Sequence, residues 1–134
     1  MKYTKDLDKI NEDMIDGFFV GWPKQPTPQK QLQLMKNSYR CFVAIDEQTE
    51  KVIGFITAIS DGVLSAYIPL LEVLPEYQNK GIGNELVKLM IRELEEFYMV
   101  DLLCDPQLQN YYERFDMMKA NGMMIRNFSF QGGR

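Results

Sequence analysis

Apolar residues recur at helical spacing from the start of the chain. Over residues 5–18, Leu7, Ile10, Met14 and Phe18 form one stripe, with Asp8, Glu12, Asp13 and Asp16 outside it, so the spacing predicts an amphipathic helix. Thr4 stands where a cap is needed, Asp6 and Asp8 suit the positive end of the dipole, and Gly17 marks the end region. The loop Gly21-Trp22-Pro23-Lys24-Gln25-Pro26, with two prolines and a glycine, is irregular. Thr27-Pro28 opens a second helix that runs to about Asn37. Residues 39–45 and 52–59 are rich in Val, Ile, Phe and Ala and flank a polar turn, which predicts a hairpin. After the turn Ser60-Asp61-Gly62, residues 63–74 read as a long strand interrupted by Pro69. Proline donates no ladder hydrogen bond, so that strand is expected to be bulged there or unpaired on one side. Ile82, Leu86, Met90 and Leu94, widened by Val87, Ile91 and Tyr98, make residues 82–98 the strongest helix. Residues 99–104 form a short buried-type strand, and Asp105-Pro106 starts a helix to about Arg114. Asn121-Gly122, between residues 117–119 and 123–128, predicts a closing hairpin, and residues 131–134 a frayed tail.

This order gives an α+β or mixed α/β domain. Its sheet is mostly antiparallel, with one parallel crossover from residues 63–74 through the helix at 82–98 to residues 99–104. The 134 residues make one domain, without repeats or an interdomain linker. With 46% apolar and 25% charged residues, the chain reads as a globular protein that needs no disulfide or metal staple. A net charge of −4 offers no bulk attraction to nucleic acid or anionic membrane. No apolar run is long enough for a membrane span, and the opening Met1-Lys2-Tyr3-Thr4-Lys5-Asp6 lacks the apolar core of a signal peptide. The absence of histidine excludes a Ser-His-Asp triad, a Cys-His dyad and any His-ligated metal site. Cys41 and Cys104 lack zinc-site spacing, and nine methionines suit a reducing cytoplasm. No metal is expected.

The chemistry concentrates in Val73-Leu74-Pro75-Glu76-Tyr77-Gln78-Asn79-Lys80-Gly81-Ile82-Gly83-Asn84. Two glycines one residue apart sit where a strand-exit loop becomes a long helix. The first helical amides have no intrahelical acceptor, and glycine lets a ligand approach the main chain, so this is a site for phosphate or pyrophosphate. A dinucleotide fingerprint would need glycine where Leu86 stands, and a Walker loop would need Gly-Lys-Ser/Thr.

Gln78-Asn79-Lys80-Gly81-Ile82-Gly83 resembles the Gln/Arg-x-x-Gly-x-Gly/Ala signature of the GNAT acetyltransferase superfamily. Glu72-Val73-Leu74-Pro75-Glu76-Tyr77 resembles its strand end, and Tyr111-Tyr112-Glu113-Arg114-Phe115-Asp116-Met117 its Phe/Leu-Tyr-Glu-Lys-Leu-Gly-Phe segment. The resemblance covers about residues 1–130. It implies splayed central strands with helices on both faces. It implies acetyl-coenzyme A as cosubstrate, its pyrophosphate on the amides of Gln78, Asn79, Lys80, Gly81, Ile82, Gly83 and Asn84, and its pantetheine arm along Leu71 to Val73. Tyr112 matches the tyrosine that protonates the departing thiolate, a role suited to a phenol protonated at neutral pH.

Attack on a thioester needs a neutral amine, and Glu72 is the nearest candidate base; strand alternation places it opposite Leu71 and Val73 without saying which face holds substrate. Water is the alternative base. Trp22 lies where the family builds its acceptor wall. Asp105 replaces a frequent asparagine and reads as a helix cap, Asp116 replaces a glycine, and Leu108 an alanine. Cys104 reads as core. The expected activity is acetyl transfer from acetyl-coenzyme A to a primary amine in a ternary complex, by a monomer or homodimer. The alternative is an acyl-coenzyme A-binding domain without catalysis.

Overall fold

Five strands lie side by side in the order in which the chain makes them. The computed structural model describes residues 1–134. β1 (Lys2–Thr4), β2 (Arg40–Asp46), β3 (Lys51–Ser60) and β4 (Ser65–Val73) pair antiparallel, and β5 (Met99–Asp101) joins β4 in parallel. α2 (Ile82–Glu93) makes the parallel crossover, α1 (Pro28–Asn37) precedes β2, and α3 (Gln109–Glu113) follows β5.

Both faces of β3 are covered. The face bearing Gly54 receives α2: a Cβ at Gly54 would stand 3.2 Å from Leu86 Cδ1 and 3.3 Å from Ile82 Cγ2, so only glycine allows the helix to sit this close. On the other face Phe55 meets Phe18 edge-on, ring centroids 5.0 Å apart, under the N-terminal segment and α1. The 22 buried apolar residues of the core all lie at or before Leu94.

Pro69 acts on the sheet as its chemistry requires. Leu70 is opposite Thr57 and Tyr67 opposite Ile59, so β4 holds one extra residue at Ile68-Pro69. The β4–β5 ladder pairs Ser65–Tyr67 with Met99–Asp101 and stops there. Beyond Tyr67 the two strands part.

Several sequence expectations are corrected. Residues 5–18 form no α-helix. β1 precedes them, and a single 3₁₀ turn, Glu12–Met14, lies within them. Short polar side chains take the backbone amides instead: Thr4 Oγ1 accepts from Asp6 N, Asp6 Oδ1 from Asp8 N, and Asn11 Oδ1 from Asp13 N, each at 3.0 Å. Ile10 and Phe18 are nevertheless buried. α2 ends at Glu93 rather than Tyr98: Leu94 is the last fully buried side chain, and Tyr98 stands in solvent. The hairpin at Asn121-Gly122 does not form: residues 117–126 make no backbone–backbone hydrogen bond. Asp105 precedes the 3₁₀ turn Pro106–Leu108, but its carbonyl, not its side chain, accepts from Leu108 N at 2.9 Å. Cys104 lies outside the core, and both cysteines are free thiols. The Thr27 cap holds, its Oγ1 accepting from Lys30 N at 3.2 Å. Asp116 adopts a left-handed φ of 64°, the glycine-like conformation its position demands.

Candidate active site

The loop leaving β4 is anchored at several points. Leu74 N donates to Ile53 O (2.9 Å), Tyr77 OH to Asp46 Oδ2 (2.6 Å), and Gln78 Nε2 to Val73 O (3.0 Å). Lys80 Nζ lies 5.5 Å from the Tyr77 ring centroid. Asn79 (φ 62°) and Gly81 (φ 84°) then take left-handed conformations that swing the chain into α2. Gly81 is the N-cap residue and has no side chain to accept from the helix, so the amides of Ile82, Gly83 and Asn84 face outward without a protein acceptor. A Cβ at Gly81 would meet nothing within 4 Å; one at Gly83 would touch Val73 Cγ2 and Tyr111 OH at 3.7 Å. The loop thus presents a short ring of amides, Ile82, Gly83 and Asn84, at the positive end of a 12-residue helix, whereas the amide expected at Gln78 is taken by Pro75 O at 3.3 Å.

Beside it lies a cleft of about 360 Å³, in the gap where β4 and β5 separate. Leu71 lines it from β4, Leu103 and Cys104 from the chain after β5, Tyr112 from α3, and Met124 and Arg126 from the C-terminal segment. Leu74 N points to β3, so alternation turns the main-chain groups of Leu71 and Val73 to the other edge, where no strand takes them up. Val73 O, accepting from the Gln78 side chain, agrees with this. Tyr112 is packed edge-on to Tyr111 at 5.0 Å between centroids. Burial, reinforced by Tyr111 and Cys104, pushes its phenol up to about 12, so it holds its proton at neutral pH.

Glu72 lies on the opposite face of β4, in register with Phe55. Its Oε2 accepts from Phe19 N at 2.9 Å, and partial burial raises its pKa, the Phe19 bond working in the other direction. Phe19 holds a left-handed φ of 59°, which aims its amide at the carboxylate. Its carbonyl accepts from Gln25 Nε2 (2.9 Å) and Trp22 N (3.1 Å), and its ring stands 4.8 Å from Trp22. The structure therefore joins Glu72 to Trp22 through Phe19, on one face, and Tyr112 to Leu71 in the cleft. Nearby on the Glu72 face, Thr57 is buried with its hydroxyl unpartnered. Phe19, Gln25, Thr57 and Arg126 escaped sequence reasoning. Gly17 and Gly21, which flank Phe19 at positive φ, were the only hint of its unusual backbone. No group of three or more His, Cys, Asp or Glu is placed to hold a metal, and no helix is long and apolar enough to cross a membrane.

A family model described as the acetyltransferase (GNAT) family matches residues 7–117. The chain belongs to the GNAT acetyltransferase family. A crystal structure of a Deinococcus radiodurans protein assigned as an acetyltransferase superposes on this GNAT chain with a TM-score of 0.95. The two are 37% identical, and the match covers 99% of this chain and 92% of that one. The uncharacterized N-acetyltransferase ycf52 of Gracilaria tenuistipitata var. liui is 30% identical over 112 residues, 81% of this chain. The GNAT chain spans only 58% of the length of that relative. An aminoglycoside 6'-N-acetyltransferase solved with coenzyme A has a TM-score of 0.61 at 22% identity, covering 87% of this chain and 73% of its own; at that identity the likeness is one of fold.

Proposed function

We propose that this GNAT chain is an N-acetyltransferase that moves the acetyl group of acetyl-coenzyme A to a primary amine by direct attack in a ternary complex. The observation that carries the reading is the parting of β4 from β5 beside the glycine loop. A pyrophosphate on the outward amides of Ile82, Gly83 and Asn84 would let the pantetheine arm run along the unpaired edge of Leu71 and Val73, in the manner of a further strand. The thioester then reaches the cleft at Tyr112. The amine nitrogen bonds to the carbonyl carbon, the carbon–sulfur bond breaks, and the thiolate takes the Tyr112 proton. The amine's proton leaves to Glu72 or to water. Because no ladder closes the sheet beyond Tyr67, an acceptor on the Glu72 and Trp22 face has a route to the thioester through the gap. Both cysteines being free thiols favours a reducing compartment such as the cytoplasm.

One observation favours a second reading, acyl-coenzyme A binding without turnover: the Glu72 carboxylate is already engaged by Phe19 N and faces away from Tyr112. Two measurements separate the readings. Calorimetry with coenzyme A tests the loop, and thiol release from acetyl-coenzyme A across a panel of amines tests turnover. Binding with amine-dependent thiol release is the expected result. Binding without release on any amine supports the second reading, and no binding removes both.

A further inference from the structure

Phe19 is the one aromatic residue of the chain with a left-handed φ, 59°. A bulky side chain is crowded in that conformation, which persists only where several contacts fix it at once. Here its N–H donates to Glu72 Oε2 at 2.9 Å, its carbonyl accepts from Gln25 Nε2 at 2.9 Å and from Trp22 N at 3.1 Å, and its buried ring stands 6.3 Å from that of Phe55. The Trp22 bond is a local turn. Gln25 is the side chain that comes from outside that turn, and its own seat is built. Lys24 N donates to Gln131 Oε1 at 3.1 Å on one side of it, and on the other the buried Gln31 donates from Nε2 to Pro26 O at 2.8 Å. Gln25 itself is an exposed residue, so water could satisfy its amide; the bond it makes instead serves Phe19.

We infer that Gln25 is a positioning residue for acetyl transfer: through the left-handed Phe19 it holds Oε2 of Glu72 in place and leaves Oε1 for the acceptor amine. This role rests on the transfer proposed above. The Phe19 amide is the one hydrogen-bond partner that Glu72 has in the protein, and no cation pairs with it. A glutamate side chain turns about several bonds, and a single well-aimed donor removes much of that freedom. The same bond opposes the rise in pKa that burial imposes, which keeps the group a carboxylate able to accept a proton. An acceptor that arrives as an ammonium passes one proton to Oε1, and the lone pair so freed attacks the thioester carbon. Trp22 shares this support, its ring 4.8 Å from that of Phe19, so the acceptor wall and the base keep one spacing. The engagement of Glu72 by Phe19 thus occupies one carboxylate oxygen and orients the other.

The test is a double-mutant cycle on the full chain, with Gln25→Leu, Glu72→Gln and both together, read as kcat and KM for the best amine. Leucine is close to glutamine in size and donates no hydrogen bond. Gln25→Leu is expected to lower kcat about tenfold, with coenzyme A affinity within about twofold of wild type by calorimetry. In the Glu72→Gln background the same substitution is expected to change kcat by less than about twofold, because the group it positions no longer accepts a proton. A second measurement needs no turnover. Hydrogen exchange of the Phe19 amide, followed by NMR, is expected to quicken about tenfold or more in Gln25→Leu, while the amides of β2 and β3 exchange as in wild type. An equal loss of kcat in both backgrounds overturns the inference, since Gln25 would then act on the loop or the acceptor and not through Glu72. An unchanged kcat overturns it, as does Phe19 exchange that stays at the wild-type rate. A wild-type chain that turns over no amine removes the proposed transfer itself and this role with it, an outcome told apart by the wild-type assay alone.

Discussion

Gly81 and Gly62 form a natural matched pair for testing the proposed coenzyme loop. Both hold a left-handed φ, 84° and 78°, and a Cβ at either would meet nothing within 4 Å. Alanine at either position therefore adds the same strain without a clash, roughly 1–2 kcal/mol, which in a domain of this size lowers Tm by about 3–5 °C per kcal/mol. The two sites differ in location. Gly62 turns the chain between β3 and β4, whereas Gly81 opens α2 at the ring of unpaired amides. Space left open around Gly81 is the space through which a phosphate would approach the backbone. Gly81→Ala should therefore weaken coenzyme A binding at least tenfold, about 1.4 kcal/mol. Gly62→Ala should leave affinity within twofold of wild type at a similar loss of Tm. Calorimetric titration well below both melting points, with thermal scans of all three proteins, makes the comparison. Unchanged affinity in Gly81→Ala would refute the assignment of the loop. An equal loss in Gly62→Ala would trace the effect to general destabilisation.

Three further outcomes are expected. Tyr112→Phe should lower kcat for the best amine about 10²-fold while coenzyme A affinity stays within twofold, because in the proposed transfer the hydroxyl acts only as charge develops on sulfur; steady-state kinetics beside a titration check this. Glu72→Gln should raise Tm at neutral pH. The wild-type carboxyl is raised above the ordinary glutamate range by burial, so its ionisation costs stability as pH rises through that window. The advantage should vanish once pH falls below the ordinary range, and melting curves from pH 3 to 8 read it. Gly54→Ala should destabilise by roughly 1–3 kcal/mol in urea unfolding, since the added methyl would press on Leu86, Ile82 and the Glu72 carbonyl.

The elements that could be read from sequence are those whose local chemistry and tertiary demand agree. The α2 stripe, the Thr27-Pro28 start of α1 and the Pro69 interruption each had one physical solution. Residues 5–18 did not, because aspartate and asparagine side chains outcompeted the helix for backbone amides while the apolar stripe still reached the core. β1 was invisible because three residues acquire strand form only from pairing with Val43–Ile45. Asn121-Gly122 carries a strong turn signal, yet no hairpin forms, since local chemistry cannot supply the partner a strand needs. The glycine loop was legible as a motif. The face chosen by Glu72 was not, for it depends on the register of β4 against β3, and Phe19 reaches that carboxylate from 53 residues away.

The short ladder between β4 and β5 also divides the protein energetically. Only three residue pairs join β5 to the sheet, and no residue after Leu94 is fully buried. The last third of the chain is therefore held chiefly by the half-buried side chains of Val100, Leu102, Tyr111, Tyr112 and Phe115. Such a region opens as a cooperative unit at lower free energy than β2 and β3, and its amides should exchange with solvent first. One wall of the cleft thus belongs to the most easily released part of the fold, and the other to its most stable part. Detachment of β5 together with α3 and residues 117–126 would leave the amide ring and the edge of β4 in place.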